Sequence, residues 1–269
     1  MCQLLGMNCN VPTDICFSFT GFQKRGGMTD EHRDGWGIAF FEGRGCRVFL
    51  DPLPSCNSPV AALVRNYPIR SRNVVAHIRK ATQGEVALEN THPFQRELWG
   101  RYWLFAHNGN LVDFTPRLGR FLPVGHTDSE AAFCHMLAQL EARHGDTAPE
   151  PHVLFDSLCS LAADIGRHGS FNFLLSNGDW LVAHCSTQLA YIVRQAPFSV
   201  AHLADEDVSV DFRELTRAQD RVAVVATMPL TDNERWTRIE SGCAVLFMDG
   251  APLATRPCPW MQKPDRSEQ

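Results

Sequence analysis

The sequence predicts one α+β domain in which two packed, mainly antiparallel sheets are covered by helices, and three observations point there. Strand-like runs come in hairpin pairs: WGIAFF (Trp36–Phe41) and RVFL (Arg47–Leu50) flank EGRGC, whose glycines suit a tight loop. Two helical patterns, Ser129–Ala142 and Val153–Ile165, follow each other directly, where a parallel sheet would interleave strands and helices. The 269 residues are 44% hydrophobic and show no internal repeat or low-complexity linker, so one sizeable core is within reach.

Taken in order, Cys2–Met7 reads as a short buried strand. Pro59–Asn66 reads as a short helix, because Pro at its first turn follows the capping residue Ser58. Val74–Arg79 and Tyr102–Ala106 are rich in β-branched and aromatic residues and read as strands. The segment Ser129–Ala142 places Ala132, Phe133, Met136, Leu137 and Leu140 on one helical face, and Thr127 with Glu130 fits a capping box ahead of it. Strands follow at Phe171–Leu175 and Trp180–His184, joined by SNGD, and then at Ala190–Arg194, Val222–Ala226 and Ala244–Phe247. The domain is expected over 2–251, with 252–269 a poorly ordered, proline-containing tail.

Net charge of −5 and a pI near 6.1 give no footprint for nucleic acid or an anionic membrane. No apolar run reaches the roughly 18–20 residues of a membrane span. The start, MCQLLGMNCN, lacks a basic segment followed by an apolar one, so a cytoplasmic protein is expected. Ten cysteines without framework spacing then read as reduced thiols. No C-x-x-C pair and no H-E-x-x-H occur, so nothing argues for a metal, and no cofactor is expected.

Cys2 stands behind Met1 alone. Aminopeptidase removes Met ahead of a small residue, which would leave a thiol and a free α-amine on one residue. These titrate near ~8.5 and ~7.7–8, so proton exchange between them is nearly isoenergetic at neutral pH. An N-terminal amine is a recognised activator of such a nucleophile. From position alone, the reading of Cys2 as one more packed strand residue is favoured.

Four further elements weigh on that choice: DGWGIA (Asp34–Ala39), HIRKAT (His77–Thr82), HNG (His107–Gly109) and HTDSE (His126–Glu130). An Arg at a strand end can present a planar fork to a carboxylate, although most arginines form surface ion pairs. Asn108–Gly109 is, on sequence alone, a turn dipeptide. It also offers an amide N–H and an unobstructed backbone N–H, the parts of an oxyanion hole. Asp128 could be only a helix-start acid favoured by the macrodipole.

In order and spacing behind a penultimate Cys, these elements resemble the class II glutamine amidotransferases over roughly Cys2 to Asp249, and within them the stand-alone bacterial members without a fused synthase domain. The resemblance implies the four-layer α-β-β-α sandwich of the N-terminal-nucleophile hydrolases. It implies that Cys2 attacks the side-chain amide of glutamine and that Asn108 and Gly109 hold the oxyanion. Arg79, assisted by Thr82, would bind the α-carboxylate, and Asp128 the α-ammonium. Trp36–Gly37 is kept as packing or pocket wall. His77, His92 and His107 read as core histidines, with His92 near the pocket segment at most.

The expected reaction passes through a γ-glutamyl thioester and releases glutamate and ammonia. A separate synthase subunit could accept the ammonia, or the true substrate could be a γ-glutamyl amide or peptide. A non-catalytic, regulatory relative is the third reading, against which the intact set Cys2, Arg79, Asn108, Gly109 and Asp128 argues.

Overall fold

The computed structural model describes residues 2–81 and 85–258. In chain order the elements are β1 (Gln3–Thr13), α1 (Cys16–Lys24), β2 (Trp36–Glu42), β3 (Gly45–Asp51), α2 (Pro59–Asn66), β4 (Ser71–Ile78), β5 (Phe94–Leu98) and β6 (Arg101–Leu111). Then come α3 (Asp128–His144), α4 (Pro151–Ile165), β7 (Gly169–Ser176), β8 (Leu181–Cys185), β9 (Ala190–Gln195), β10 (Val200–His202), β11 (Ser209–Asp211) and α5 (Phe212–Leu215). The described chain closes with β12 (Arg221–Ala226), β13 (Thr237–Arg238), β14 (Cys243–Met248) and β15 (Ala251–Pro257).

Two sheets carry the fold. One runs β13-β9-β12-β1-β4-β2-β3 and the other β15-β14-β8-β7-β6-β5, while β10 and β11 form a separate hairpin. The pairs are antiparallel throughout, for example Gly6↔Val75 between β1 and β4 and Asn108↔Asn172 between β6 and β7.

Three apolar clusters fix the layering. One packs Phe19, Phe22, Ala61 and Val64 of α1 and α2 on Leu5, Met7, Val74 and Ala76. A second packs Phe133, Leu137, Leu158 and Leu161 of α3 and α4 on Phe105, Phe171 and Phe173. The third lies between the sheets and joins Leu4, Ala39 and Val75 to Leu104, Ala106, Leu174 and Leu181. Successive strand residues point to opposite faces, so both faces of each sheet are buried and four layers result: helices, sheet, sheet, helices. The sheets approach closely at Gly6, where a Cβ would stand 3.0 Å from Leu181 Cδ2 and 3.1 Å from Leu174 Cδ1. This is the α-β-β-α sandwich of the N-terminal-nucleophile type.

Local chemistry explains the element starts. Ser58 Oγ accepts Ala61 N–H at 3.3 Å ahead of Pro59, and Thr127 Oγ1 accepts Glu130 N–H at 3.2 Å ahead of α3. The capping box is only half made. The buried Glu130 carboxylate turns away from the cap to accept Val124 N–H (3.1 Å) and Gly125 N–H (2.7 Å) and to pair with Arg96. It therefore anchors the loop that leads into α3.

Two expectations need correction. Asn108–Gly109 is not a turn: both residues lie inside β6, where Gly109 pairs with Phe171. Glycine is required there by close approach, since a Cβ would stand 1.8 Å from Ser170 O. The segment 252–257, expected in a loose tail, belongs to β15 and pairs with β14 through Ala244↔Arg256 and Val245↔Thr255. Its prolines sit on an edge strand, where a missing N–H costs no ladder bond. The remainder of that expected tail beyond Cys258 lies outside the described residues.

Candidate active site

Strand parity gathers most of the sequence-nominated residues at one end of the sandwich. On β1, Leu4 faces the opposite sheet, so Cys2, two residues earlier, projects to the same side. On β4, Val75 faces the opposite sheet and Arg79 follows with the same parity. Gln3 pairs with Ile78, which brings Cys2 beside the Arg79–Lys80 segment. From the other sheet, Ala106 has inward parity and so does Asn108.

Cys2 is held on both sides. Lys80 N–H donates to Cys2 Sγ at 3.2 Å, and the thiol lies 3.4 Å from Lys80 O. Asn108 Nδ2 donates to the Cys2 carbonyl at 2.6 Å, which bridges the two sheets. Burial pushes the Cys2 thiol above its ordinary range, while the Lys80 N–H and the Arg79 charge pull the other way. Asn108 Oδ1 is buried with no hydrogen-bond partner among the described residues, an orphan acceptor beside Cys2.

Arg79 is 3% exposed, and its Nη1 donates to Glu85 O at 2.8 Å. Its own backbone is fixed by the loop before β2: Arg79 N–H donates to Gly35 O at 2.8 Å and Asp34 N–H to Arg79 O at 3.2 Å. Asp128 opens α3 and accepts Leu111 N–H at 2.7 Å through Oδ2 and Ser129 N–H at 2.9 Å through Oδ1. That bond ties it to the last residue of the strand that carries Asn108. Thr82 lies outside the described residues.

The histidines are core groups. His107 bridges Ser129 Oγ (2.8 Å) and Ser170 O (3.1 Å), fastening the start of α3 to the sheet. Burial holds His107 and His92 below the usual imidazole range, and pushes His77 down to about 3 and His184 to about 4. All four are neutral at physiological pH. The rings of His77 and His92 pack 4.2 Å apart. The His92 carbonyl lies where a Cβ on Gly37 would stand, at 2.3 Å, so Gly37 serves to admit that segment to the sheet. Among the described residues no group of three or more His, Cys, Asp or Glu side chains could hold a metal, and no helix is long and apolar enough to cross a membrane.

Three residues around the site were given no role of their own from sequence. Asp34 Oδ2 accepts Ala81 N–H at 2.7 Å and secures the segment after Arg79. Thr227 Oγ1 accepts Leu4 N–H at 2.9 Å, and Thr227 N–H donates to Leu4 O at 3.1 Å, which steadies the strand behind Cys2. Asn172, fully buried on β7, faces Asn108. A polar amide in the apolar run FNFLL was the one available sequence signal for it.

The whole sequence, residues 1–269, matches the family described as glutamine amidotransferases class-II. A provisionally named glutamine amidotransferase of Escherichia coli, YafJ, is 56% identical over 93% of this chain and 98% of its own length. A Haemophilus influenzae protein with the same provisional name is 53% identical over 94% of this chain and 86% of its own. The gamma-glutamyl-hercynylcysteine sulfoxide hydrolase of Mycobacterium tuberculosis is 31% identical over 65% of this chain and 66% of its own. Among solved structures, a protein of Pseudomonas aeruginosa described as a predicted glutamine amidotransferase superposes with a TM-score of 0.76 at 50% identity, covering 94% of this chain and 99% of that one. The Bacillus subtilis glutamine phosphoribosylpyrophosphate amidotransferase shares the fold at a TM-score of 0.58 and 15% identity, over 96% of this chain and 49% of that one. On this footing the chain belongs to the class II glutamine amidotransferases.

Proposed function

We propose that this chain hydrolyses the side-chain amide of glutamine through a γ-glutamyl thioester on Cys2. The observation that carries the reading is the junction at Cys2: an amide N–H of Asn108 at 2.6 Å from its carbonyl and a backbone N–H of Lys80 at 3.2 Å from its sulfur. Attacker and polarising donors thus converge from two different sheets.

Attack by a thiol has to be coupled to proton removal. Once Met1 is gone, the Cys2 α-amine, directly or through a water, is the base. Sulfur bonds to the amide carbon, and the carbonyl electrons move onto oxygen. The second N–H of the Asn108 amide and the Gly109 N–H receive that charge. The proton then passes from the ammonium to the departing nitrogen, and ammonia leaves. Water, deprotonated by the same amine, adds to the thioester and returns glutamate and the thiol. Donors of this kind are each worth about 10²–10³ in rate.

Arg79 is the proposed partner of the α-carboxylate and Asp128 of the α-ammonium, with Thr82 assisting. Gripping both charges leaves a neutral carboxamide to reach the sulfur, so binding energy at the head group orients the reacting end. The likeness to a γ-glutamyl sulfoxide hydrolase favours a second reading on the same site, in which a larger γ-glutamyl amide is cleaved. A separate synthase subunit that consumes the ammonia is the partner implied by the first.

The test begins with mass spectrometry of the mature N-terminus, where Cys2 is expected to be residue one. Glutamate release from glutamine, and from a panel of N-substituted glutamines, is then compared in wild type and Cys2→Ala. Retained Met1, or equal rates in the two proteins, would refute the proposal. Larger amides outpacing glutamine would select the second reading.

A further inference from the structure

Asn172 sits at the centre of a saturated hydrogen-bond network directly beneath the proposed oxyanion donor. Its Cα is the register partner of Asn108 across β6 and β7, and the side chain is fully buried. Nδ2 donates to Asn108 O at 2.9 Å and to Thr187 Oγ1 at 2.8 Å. Oδ1 accepts backbone N–H groups from Ser186 (2.9 Å), Thr187 (2.9 Å) and Gln188 (3.4 Å), the turn that follows β8. Oδ1 thus meets only N–H donors, while Nδ2 faces a carbonyl and a hydroxyl. The surroundings therefore admit one orientation of the amide, and a flip would oppose like groups at both ends.

A chain of bonds results: the 186–188 turn into Asn172 Oδ1, Asn172 Nδ2 into Asn108 O, and Asn108 Nδ2 into the Cys2 carbonyl. The first two bonds polarise one another through the Asn172 amide, and the second fixes the backbone from which the Asn108 side chain reaches Cys2. A buried Asn whose only task was to close the turn would need its oxygen alone. Here the amide hydrogens are spent on the residue beside the nucleophile.

We infer that Asn172 is a positioning residue for the oxyanion hole, setting the backbone of Asn108 so that its free amide N–H points at the oxygen of the reacting carbonyl. This inference rests on the glutamine-hydrolysing reading of the site. It assigns Asn172 no contact with substrate.

The discriminating substitution is Asn172→Asp. It keeps the shape and the oxygen that the turn requires, but sets a carboxylate oxygen against Asn108 O where a donor stood. Glutamate release is measured per active site, counted by covalent labelling of Cys2 with a glutamine-mimicking electrophile. The expected result is a kcat lower by roughly 10-fold or more, with KM for glutamine within about 3-fold of wild type, since a misaligned oxyanion donor weakens the transition state selectively. Should the buried carboxylate block folding, Asn172→Ser, too short to reach Asn108 O, is held to the same expectation. An unchanged kcat, or a loss confined to KM, overturns the role. A crystal structure of the variant gives a readout independent of turnover: Asn108 Nδ2 should leave its place on the Cys2 carbonyl, and its staying there also overturns the role. Wild-type protein that neither releases glutamate nor takes the label would instead sink the glutamine reading, leaving the structural arm to judge Asn172.

Discussion

The carboxylate of Asp34 accepts the backbone N–H of Ala81 at 2.7 Å, and by that bond the loop ahead of β2 holds the segment that carries Arg79 and Lys80. Lys80 in turn donates to the Cys2 sulfur, so the proposed nucleophile and the Arg79 guanidinium are set by one short stretch of backbone. A hydrogen bond to a charged acceptor contributes about 1.5–3 kcal/mol. Asp34→Ala is expected to raise KM for glutamine by roughly 10-fold or more. Asp34→Asn, which retains an acceptor oxygen, should recover part of it. Steady-state kinetics of the two variants check this, and equal KM values across all three proteins would contradict it.

Arg79 supplies two parallel N–H vectors that a lysine cannot copy. Arg79→Lys should therefore raise KM for glutamine about 10–100-fold while the rate of Cys2 labelling by a small neutral alkylating agent stays near wild type. A labelling rate that falls as KM rises would mean that the substitution has disturbed Cys2 itself.

Asn108→Ala removes a donor from the proposed oxyanion hole and also the 2.6 Å bond to the Cys2 carbonyl. The expected loss is about 10²–10³ in kcat. Substrate affinity should change little, because the proposed head-group contacts lie elsewhere, at Arg79 and Asp128. Isothermal titration of glutamine into Cys2→Ala and into the Cys2→Ala, Asn108→Ala double variant would test the second half directly.

Gly109→Ala would place a methyl 1.8 Å from Ser170 O, inside the β6–β7 pairing. Backbone atoms cannot yield as a flexible side chain does. The variant should lose roughly 2 kcal/mol or more of stability, as overpacking in a tight core does. Urea denaturation measures it, and a midpoint unchanged from wild type would show that the strands can part without cost.

Stability should also fall in acid, with a sign fixed by the buried imidazoles. His77 and His184 are held at about 3 and about 4 in the folded protein, below the ordinary 6.5. Their neutral forms thus favour the fold fully above pH ~6.5, and that contribution shrinks as pH drops through ~6.5 towards 4 and 3. Thermal melts should show Tm declining over this window. A Tm constant between pH 7 and pH 4.5 would be incompatible with two buried, neutral histidines.

By itself the sequence nominated the residues proposed to do the chemistry. Cys2 behind Met1, an Arg at a strand end, an Asn-Gly pair and an Asp at a helix start are local patterns, readable because each depends on a few neighbouring residues. Helices α2 and α3 were legible for the same reason, since caps and apolar periodicity act within one or two turns. Only the tertiary structure decided what those residues touch. It moved Asn108–Gly109 from a turn into a paired strand, drew 252–257 into a sheet edge, and turned Glu130 from its cap to Arg96. It also brought Asp34 to Ala81, Thr227 to Leu4 and Asn172 to Asn108, across 47, 223 and 64 positions of chain. Such bonds are set by strand register between distant segments, and register is a property of the closed sheets that no stretch of neighbouring residues encodes.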